Sequence, residues 1–560
     1  MQLVHGLHFR NLRGDLFGGL TAAIVALPLA LAFGVSVSPD DGAIMGLYGA
    51  VFIGFFAALF GGTPAQISGP TGPMTVVMAT VFGNLVNKNP ETGLAIAFTV
   101  VMLGGVFQIL FGLLRLGKYI TLMPYTVISG FMSGIGFIIL FIQIGPFFGY
   151  PGSANVVQSL QNLSKFIANP NPVATGLAIL TLIIVFGSPP KLNRIIPAPL
   201  LALVVCTLIS VFIFPDSNIP VIGKIPTGLP KLHLPLFKLD QIQDMVGYGL
   251  MLGTLGSIDS LLTSLVADNI TRTTHDSDKE LIGQGIGNLF AGLFGGLPGA
   301  GATMRTVVNV RAGGKTPISG MVHALVLLII VLGAGKLTEN IPNAVLAGIL
   351  IKVGIDIIDW SFLKRAHTIS IRATALMYCV LFLTVFVDLI TAVGVGVFCA
   401  NLLTLKRLSD LQAKEVQAVT IPNGNNHKLR LSVEEELILS QANGRILLFR
   451  LGGPMSFGAA KAISQQMSIV EDYDVLILEL SEVPYVGVTA TLAIENIVKE
   501  AYENRRTVYL VGAIGIVEDR LRRLKILRRV LEQNPVNTRL EALHKGMIIV
   551  SQRQIHSSKV

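Results

Sequence analysis

The sequence predicts a polytopic α-helical membrane protein that ends in a soluble α/β domain. Three observations predict this fold class: an uneven charge distribution, a series of apolar segments in the first part, and alternating strand and helix patterns in the last part. Residues 1–405 contain 37 Asp, Glu, Lys and Arg side chains, whereas the 155 residues of 406–560 contain 38. Because soluble domains carry about 25% charged residues, only the second part has a soluble composition.

Fourteen apolar segments precede residue 406, and they predict fourteen transmembrane segments in two halves of seven. A helix needs about 20 predominantly apolar residues to cross a bilayer, and most of these segments approach that length. The segments lie near 15–35, 43–60, 71–86, 93–114, 124–145, 172–187 and 196–214 in the first half, and near 245–267, 281–296, 302–312, 317–335, 342–358, 368–388 and 389–405 in the second.

The loop charges predict the orientation of these segments. An even number of spans places both termini on one side of the membrane. If that side is the cytoplasm, the cytoplasmic loops and flanks hold thirteen Lys and Arg residues and the outer loops hold six. The positive-inside rule therefore predicts cytoplasmic termini. The same basic loops account for the net charge of +9, so we expect no nucleic-acid partner.

The third and tenth segments are interrupted by glycine and proline at matching places in the two halves. The third begins QISGPTGPMT at residues 66–75, and the tenth begins GGLPGAGATMR at residues 295–305. Backbone inside a bilayer must be hydrogen-bonded within the protein, and Pro70 and Pro73 lack donors, so the irregular backbone must line a cavity. Two packing kinks are the alternative explanation, but their matched positions favour an inverted 7+7 repeat with a transport site.

A short helix is predicted to begin after each interruption. The first turn of a helix has free N–H groups and a positive dipole, so two facing helix starts would hold a small anion. Arg305 follows the second interruption closely. An arginine inside a membrane is usually functional, and we expect it to raise the local positive potential. A pair with a carboxylate, or a side chain that reaches toward the interface, is the alternative.

Asp259 is a carboxylate inside the eighth segment, and Thr263 lies one helical turn further along the same face. A carboxylate, a hydroxyl and unwound backbone carbonyls suit Na⁺; protonation of Asp259 and a structural hydrogen bond are the alternatives. Asp259 precedes Gly301 by 42 residues, and the same offset before Thr71 gives the apolar Leu29. The repeat therefore predicts one cation site, in the second half.

The tail alternates strands and helices, which predicts a small sheet with helices packed on it. Strands are expected over 445–451, 473–480 and 507–511, and helices over 456–470, 488–504 and 515–532. The sequence contains no phosphate-binding loop, no spacing typical of a catalytic triad and no metal cluster. We therefore expect neither an enzyme nor an organic cofactor.

Three further motifs carry a family resemblance. They are LPLALAFG at 27–34, Thr303-Met304-Arg305 followed by GGKT at 313–316, and LELSEVPYV at 478–486. In this order and spacing they resemble the SulP family of anion transporters over nearly the whole chain. The resemblance implies a transport domain over 1–405, with repeats over about 15–214 and 245–405, a linker over 406–435 and a STAS domain over 436–560.

Within that family the chain looks most like the cyanobacterial bicarbonate transporters. This implies uptake of bicarbonate across the plasma (inner) membrane with Na⁺ as the coupling ion, alternating access between a core and a gate domain, and a homodimer formed through the STAS domain. The implied Na⁺ ligands are Asp259, Thr263, Gly301 and Thr303. The implied anion site lies between spans three and ten, and its candidate residues are Thr71, Gly72, Thr75, Ala302, Thr303 and Arg305.

Other functions remain open at this point. The alternative is a sulfate or other oxyanion transporter of the same family, with H⁺ in place of Na⁺ as the coupling ion. Many sulfate-type relatives have Gln where this chain has Leu29 and Tyr where it has Phe33, so a drier pocket disfavours sulfate. A channel or a membrane receptor is a further alternative, but the single carboxylate favours coupling and the paired interruptions favour a site reached from both sides.

Overall fold

The computed structural model describes most of the chain in atomic detail. The description covers residues 5–557 except 40, 87–90, 121–123, 154–155, 190–191, 193–195, 216, 218, 224–229, 334–338, 388, 421–430 and 468–471. These residues form two compact units, Met1–Cys399 and Ala400–Val560. The division falls within one long helix, Leu389–Lys414.

The first unit is almost entirely helical. Each of the fourteen predicted segments contains a described helix, although the ends of the segments at 317–335 and 368–388 lie outside the described residues. The helices are α1 Leu12–Val37, α2 Gly42–Phe60, α3 Gly72–Val81, α4 Gly93–Leu113, α5 Gly117–Ile120, α6 Tyr125–Ile142, α7 Ile144–Phe147, α8 Val156–Gln161, α9 Leu163–Ala168, α10 Pro172–Gly187, α11 Ala198–Ile213, α12 Ile242–Thr271, α13 Ser277–Leu293, α14 Thr303–Arg311, α15 Pro317–Gly333, α16 Asn343–Ile357, α17 Trp360–Ile369, α18 Ile371–Phe386 and α19 Leu389–Lys414.

Six of the described helical segments are long and apolar enough to cross a membrane. They are Phe9–Val37, Gly42–Phe60, Gly93–Leu113, Tyr125–Phe147, Leu239–Thr271 and Thr391–Lys414. Others, such as α10 and α11, are apolar but shorter. The number of spans therefore stays a prediction. Four of the described helices, α5, α8, α9 and α17, were not predicted. The first three are only four to six residues long, and the ten residues of α17 mix charged and apolar side chains between two apolar segments.

Two three-residue strands form the centre of the first unit. They are β1, Ser68–Pro70, and β2, Gly299–Gly301, and they pair antiparallel with Gly69 opposite Ala300. Each strand comes from one of the two glycine- and proline-rich interruptions. Pairing with each other satisfies backbone groups that a broken helix leaves free, which is the requirement for irregular backbone inside a membrane protein.

The register of this pair corrects the alignment of the two halves. Ser68 faces Gly301 and Pro70 faces Gly299, so the pair is symmetric about its centre. Each residue of β1 therefore corresponds to the residue of β2 that is numbered 231 higher: Ser68 to Gly299 and Pro70 to Gly301. Gly301 therefore corresponds to Pro70 and not to Thr71. By the same offset Asp259 corresponds to Pro28 and not to Leu29. The strand pairing, rather than the alignment of the two motifs, determines which residues of the two halves correspond. Pro28 is apolar too, so the expectation of a single cation site is unchanged.

The second unit is a mixed sheet with helices on both faces. Its strand order is β3-β4-β5-β6, with β3 antiparallel to β4 and the other pairs parallel. Two separate clusters of buried apolar side chains cover the two faces of the sheet. The elements are β3 Val416–Val419, α20 Val433–Gln441, β4 Ile446–Gly452, α21 Phe457–Met467, β5 Val475–Glu482, α22 Val488–Glu503, β6 Thr507–Val511, α23 Ile516–Arg522, α24 Lys525–Gln533 and α25 Arg539–Ser557.

Three of these elements were not predicted: β3, α20 and α25. β3 lies inside 406–435, predicted as a linker, of which 421–430 falls outside the described residues. The predicted helix over 515–532 is divided into α23 and α24, because the backbone at Leu524 is extended. The last residues of the predicted helix over 456–470 lie outside the described part of the chain.

A buried ion cluster attaches α25 to the rest of the second unit. Arg539 donates to Glu435 at 2.7 and 2.8 Å and to Glu479 at 3.0 Å. Burial alone would raise the pKa of Glu435, but the hydrogen bonds from Arg539 and Ser432 outweigh it and hold that pKa below its ordinary value. The cluster joins α20, β5 and α25.

Candidate functional site

The candidate site lies where the two interruptions become helices. Thr71 follows β1 directly and is the N-cap of α3, and Ala302 follows β2 directly and is the N-cap of α14; both have extended backbone. Because β1 and β2 are paired antiparallel, the two helix starts leave from opposite ends of one short ladder. The Ala302 N–H donates to the Ile67 carbonyl at 2.8 Å, which ties the second start to the first strand.

Each helix start offers backbone N–H groups to an anion, although Pro73 in the first turn of α3 supplies none. The first-turn N–H groups of a helix have no partner within that helix, and the helix dipole adds positive potential. Thr71 is 8% exposed, and its hydroxyl has no hydrogen-bond partner among the described residues. Since buried hydroxyls are normally hydrogen-bonded, this one is available to a ligand or a water.

Thr75 does not share this arrangement. Its hydroxyl donates to the Thr71 carbonyl at 2.8 Å, one turn earlier in the same helix. Its side chain lines a small cavity with Phe33 of α1 and Ile139 of α6. Gly72 begins α3, and Ile139 and Ile357 side chains lie against it. Of the candidates on α3, the hydroxyl of Thr71 is thus the one that is left without a partner.

The predicted cation ligands of the second half converge. The Thr263 hydroxyl donates to the Gly301 carbonyl at 3.0 Å and lies 2.8 Å from the Thr303 hydroxyl. Asp259 lies one turn before Thr263 on α12, and its Oδ2 has no hydrogen-bond partner in the described part of the chain. The Thr263 and Thr303 hydroxyls and the Gly301 carbonyl, from α12, α14 and β2, therefore lie together, and Asp259 lies one helical turn away on the same face of α12. Whether these oxygens bind a cation stays a prediction.

Gly301 has to be a glycine in this arrangement. A β-carbon there would lie 2.3 Å from Nε2 of Gln66 and 3.1 Å from the Cα of Ser260. The Gly301 N–H donates to the Ser260 hydroxyl at 3.0 Å, and the Gly301 carbonyl accepts from the Thr263 hydroxyl. Both backbone groups of this residue are thus bonded to α12. The close contact of β2 and α12 brings the ligand oxygens together.

Asp259 and Arg305 connect the cation ligands with the helix starts. The carboxylate of Asp259 lies close to the Thr71 side chain, although their geometry does not form a hydrogen bond, and it interacts electrostatically with the guanidinium of Arg305. It also lines a small cavity with Pro73 of α3 and Phe131 of α6. The carboxylate that is proposed to bind a cation therefore lies beside the hydroxyl that is available to an anion.

Arg305 crosses from one half of the protein to the other. It is 3% exposed, and its Nη2 donates to the Pro70 carbonyl, 235 residues away, at 2.5 Å. A β-carbon at Gly69 would lie 2.7 Å from Nη1, so the glycine makes room for the guanidinium. Arg305 therefore brings a positive charge to the end of β1, where α3 begins. Its role toward an anion or a carboxylate stays a prediction.

A buried polar network below the strands was missed by the sequence reasoning. Glu280 is 1% exposed, and its carboxylate accepts from the Gly62 and Thr63 N–H groups at 2.9 Å. It also accepts from the amides of Gln66 and Gln284 at 2.8 Å. Four donors satisfy the carboxylate, which buried charges require. The network fixes the loop that leads into β1.

The same helix holds the second strand. The side chain of Asn288 donates to the Gly299 carbonyl and accepts from its N–H, both at 2.9 Å, and Gln284 donates to Ser68 at 2.6 Å. Glu280, Gln284 and Asn288 lie four residues apart, so they form one polar stripe on α13. That spacing in an apolar segment was the signal in the sequence that could have identified them.

Comparison with known proteins agrees with this architecture. The Sulfate permease family profile matches residues 12–380, and the STAS domain profile matches residues 438–542. Bicarbonate transporter BicA of Picosynechococcus sp. is 54% identical over 98% of this chain and 97% of its own length. Bicarbonate transporter BicA of Synechocystis sp. is 53% identical over 100% of this chain and 98% of its own.

Solved structures support the same assignment. The transmembrane domain of a cyanobacterial bicarbonate transporter BicA is 56% identical, with a TM-score of 0.65; the match covers 70% of this chain and 100% of that domain. Murine Solute Carrier 26 family member A9 is 19% identical, with a TM-score of 0.80 over 98% of this chain and 92% of its own, and this likeness concerns the fold alone. The chain therefore belongs to the Sulfate permease family of membrane transporters and carries a C-terminal STAS domain.

Proposed function

We propose that this chain takes up bicarbonate together with Na⁺ by secondary active transport. Two relatives named as bicarbonate transporters are 53% and 54% identical to it over nearly their full lengths. The observation that carries the cation part is the contact of the Thr263 hydroxyl with the Gly301 carbonyl and the Thr303 hydroxyl, one turn beyond an unpartnered Asp259 oxygen.

Na⁺ would be held by oxygen atoms of Asp259, Thr263, Gly301 and Thr303. Two of these groups, the Gly301 carbonyl and the Thr303 hydroxyl, already lie within hydrogen-bond distance of the Thr263 hydroxyl, so a cation would replace the contacts that this hydroxyl makes now. A monovalent ion bound by one carboxylate and several neutral oxygens leaves the site neutral. Such a site is typical of coupling ions at unwound membrane helices.

Bicarbonate would bind between the starts of α3 and α14, near Thr71, Ala302 and Thr303. Thr303 belongs to both sets, because its hydroxyl contacts Thr263 and its backbone begins α14. Without Na⁺, the negative charge of Asp259 beside Thr71 repels an anion at the helix starts. Bound Na⁺ removes that repulsion, which is a physical reason for the two solutes to move together.

Several further parts of the proposal follow the family resemblance. We propose that a core domain with both helix starts moves against a gate domain, so that the site opens to each side in turn. We also propose a homodimer formed through the STAS domain. The location is the plasma membrane, with both termini in the cytoplasm.

A second candidate is the transport of sulfate or another oxyanion, coupled to H⁺. It has a specific basis, since a putative sulfate transporter of Bacillus subtilis is 30% identical over 94% of this chain and 97% of its own length. The carboxylate of Asp259 could also bind a proton instead of Na⁺. The absence of a polar side chain at Leu29 and Phe33 favours bicarbonate.

Purified protein in liposomes separates these candidates. Labelled bicarbonate uptake is measured with an inward Na⁺ gradient, with an equal K⁺ gradient, and with a pH gradient alone. We expect uptake with Na⁺ only, and little inhibition by excess unlabelled sulfate. Uptake that is equal with K⁺ would overturn the cation assignment, while uptake driven by the pH gradient or blocked by sulfate would favour the second candidate.

A further inference from the structure

The unpredicted helix α17, Trp360–Ile369, lies between two apolar helices. It connects α16 and α18, which belong to the predicted spans 342–358 and 368–388. Ten helical residues extend about 15 Å, about half the thickness of the hydrocarbon core, so α17 itself is too short to cross. A short helix that joins two spans lies at one boundary of the bilayer.

One face of α17 is fixed against the protein. Phe362 and Ala366 are buried and pack on Met377 of α18. Asp359 caps the helix by accepting from the Phe362 N–H at 3.1 Å, and it also accepts from the Tyr125 and Ser129 hydroxyls of α6 at 2.6 and 2.8 Å. These contacts determine which side of α17 faces outward.

The outward face combines an aromatic anchor with basic side chains. Trp360, Lys364 and His367 follow one another at spacings of four and three, so they share one side of the helix, and Arg365 is exposed next to them. The Trp360 indole is 43% exposed, while its N–H donates to the Ile355 carbonyl at 2.8 Å. Ile369 at the helix end is 65% exposed.

We propose that this face binds the headgroups of anionic lipids. Lys364 and Arg365 supply positive charge for lipid phosphates, while Trp360 and Ile369 provide the aromatic and apolar contacts of an interfacial helix. Each basic side chain near an anionic membrane surface adds electrostatic attraction. Asp359 partly balances Arg365 electrostatically, so Lys364 carries the larger share. The proposal does not depend on which anion is transported.

Trp360 makes the proposal directly testable, because it is the only tryptophan in the sequence. The full chain is placed in vesicles of phosphatidylcholine mixed with phosphatidylglycerol. Bromine quenches tryptophan fluorescence on contact. In one sample the phosphatidylglycerol carries brominated acyl chains, and in the other sample the phosphatidylcholine does. Both samples contain the same total amount of bromine. We expect quenching about twofold stronger with brominated phosphatidylglycerol, because the basic face enriches that lipid locally. Raising the KCl concentration is expected to reduce the preference by screening.

Matched variants test the assignment to α17. The double variant K364Q/R365Q should lose the preference for phosphatidylglycerol, and K364Q alone should lose most of it while leaving the electrostatic interaction of Arg365 with Asp359 in place. The control K461Q/K499Q removes the same charge from two exposed lysines of the second unit and should keep the preference. Equal quenching by both lipids, quenching by neither, or a preference that survives K364Q/R365Q overturns the proposal.

Discussion

The two halves of the membrane unit have matching backbones around the site but different side chains. β1 and β2 pair about a centre between Gly69 and Ala300, and a half-helix follows each strand at once. By the offset of 231, however, Asp259 corresponds to Pro28 and Arg305 to Met74. The first half thus contributes helix geometry, and the second half also contributes charge.

The same contrast continues in the helices that hold the strands. Glu280 of the second half corresponds to Gly49, and Thr263 corresponds to Ala32. A symmetric backbone suits an anion that must be reached from both sides, because in the proposed site both helix starts would bind it by dipole and N–H groups. Coupling to one cation requires only one set of ligands, and the repeat could therefore diverge in its side chains while the backbone stayed symmetric.

The largest effect is expected when the carboxylate of Asp259, which has no counterpart in the first half, is removed. Asp259→Asn keeps the size of the side chain but leaves the cation with neutral oxygens alone. We expect Na⁺-driven bicarbonate uptake in liposomes to fall about a hundredfold, since about 2.7 kcal/mol of cation binding corresponds to that factor. Asp410→Asn, an exposed carboxylate on α19, should leave uptake unchanged. Near-normal uptake in Asp259→Asn would mean that coupling does not use this carboxylate.

The second prediction concerns the network that only α13 carries. Glu280→Gln keeps one of the two acceptor oxygens, so either the Gly62 and Thr63 N–H groups or the amides of the two neighbouring glutamines face an N–H₂ group and lose their acceptor. We expect the protein to be destabilised by about 2 kcal/mol. The check is the thermal unfolding midpoint of the detergent-solubilised full chain, again with Asp410→Asn as the control. An unchanged midpoint would show that the carboxylate is dispensable to the loop before β1.

The third prediction makes the half-helices alike. Arg305→Met introduces the residue that the first half has at Met74, and it removes the hydrogen bond to the Pro70 carbonyl. We expect the bicarbonate concentration for half-maximal uptake to rise about tenfold, or about 1.4 kcal/mol. The Na⁺ concentration for half-maximal uptake should stay the same or fall, because Asp259 loses a competing positive charge.

Arg311→Met is the matched control for this experiment, since Arg311 ends the same helix and is exposed. It should change neither concentration. A parallel rise in the Na⁺ and bicarbonate requirements of Arg305→Met would contradict a role on the anion side and would point to general disturbance of the strand pair.

The smallest expected effect comes from removing one neutral ligand. Thr263→Ala deletes the hydroxyl that contacts Gly301 and Thr303, and we expect the Na⁺ requirement to rise about fivefold, or about 1 kcal/mol. Thr263→Ser keeps the hydroxyl and should have the Na⁺ requirement of the parent protein. Thr254→Ala on the same helix, where the hydroxyl bonds only to Leu250, should behave like the parent protein. A similar shift in Thr254→Ala would assign the effect to the helix rather than to the ligand.

Local patterns predicted the elements well, and distant contacts were predicted poorly. The charge break, the apolar segments and the two interruptions each depend on neighbouring residues, so they are readable in one dimension. Helix α17 was missed because its polar and apolar residues alternate within ten positions, too few to give a clear period. β3 was missed because an edge strand of four residues is defined by its pairing with β4 more than by its own composition.

By itself, the sequence determined that the chain crosses a membrane repeatedly, that its helices break at two matched places, and that Asp259 and Thr263 share a face one turn apart. These follow from apolar length, missing N–H donors and the helical period. Only the tertiary structure decided the register of β1 with β2, the contact of Thr263 with Thr303, and the attachment of both strands to α13. The physical reason is distance along the chain: these contacts join residues as far apart as Ser68 and Gly301, 233 positions, and packing alone brings them together.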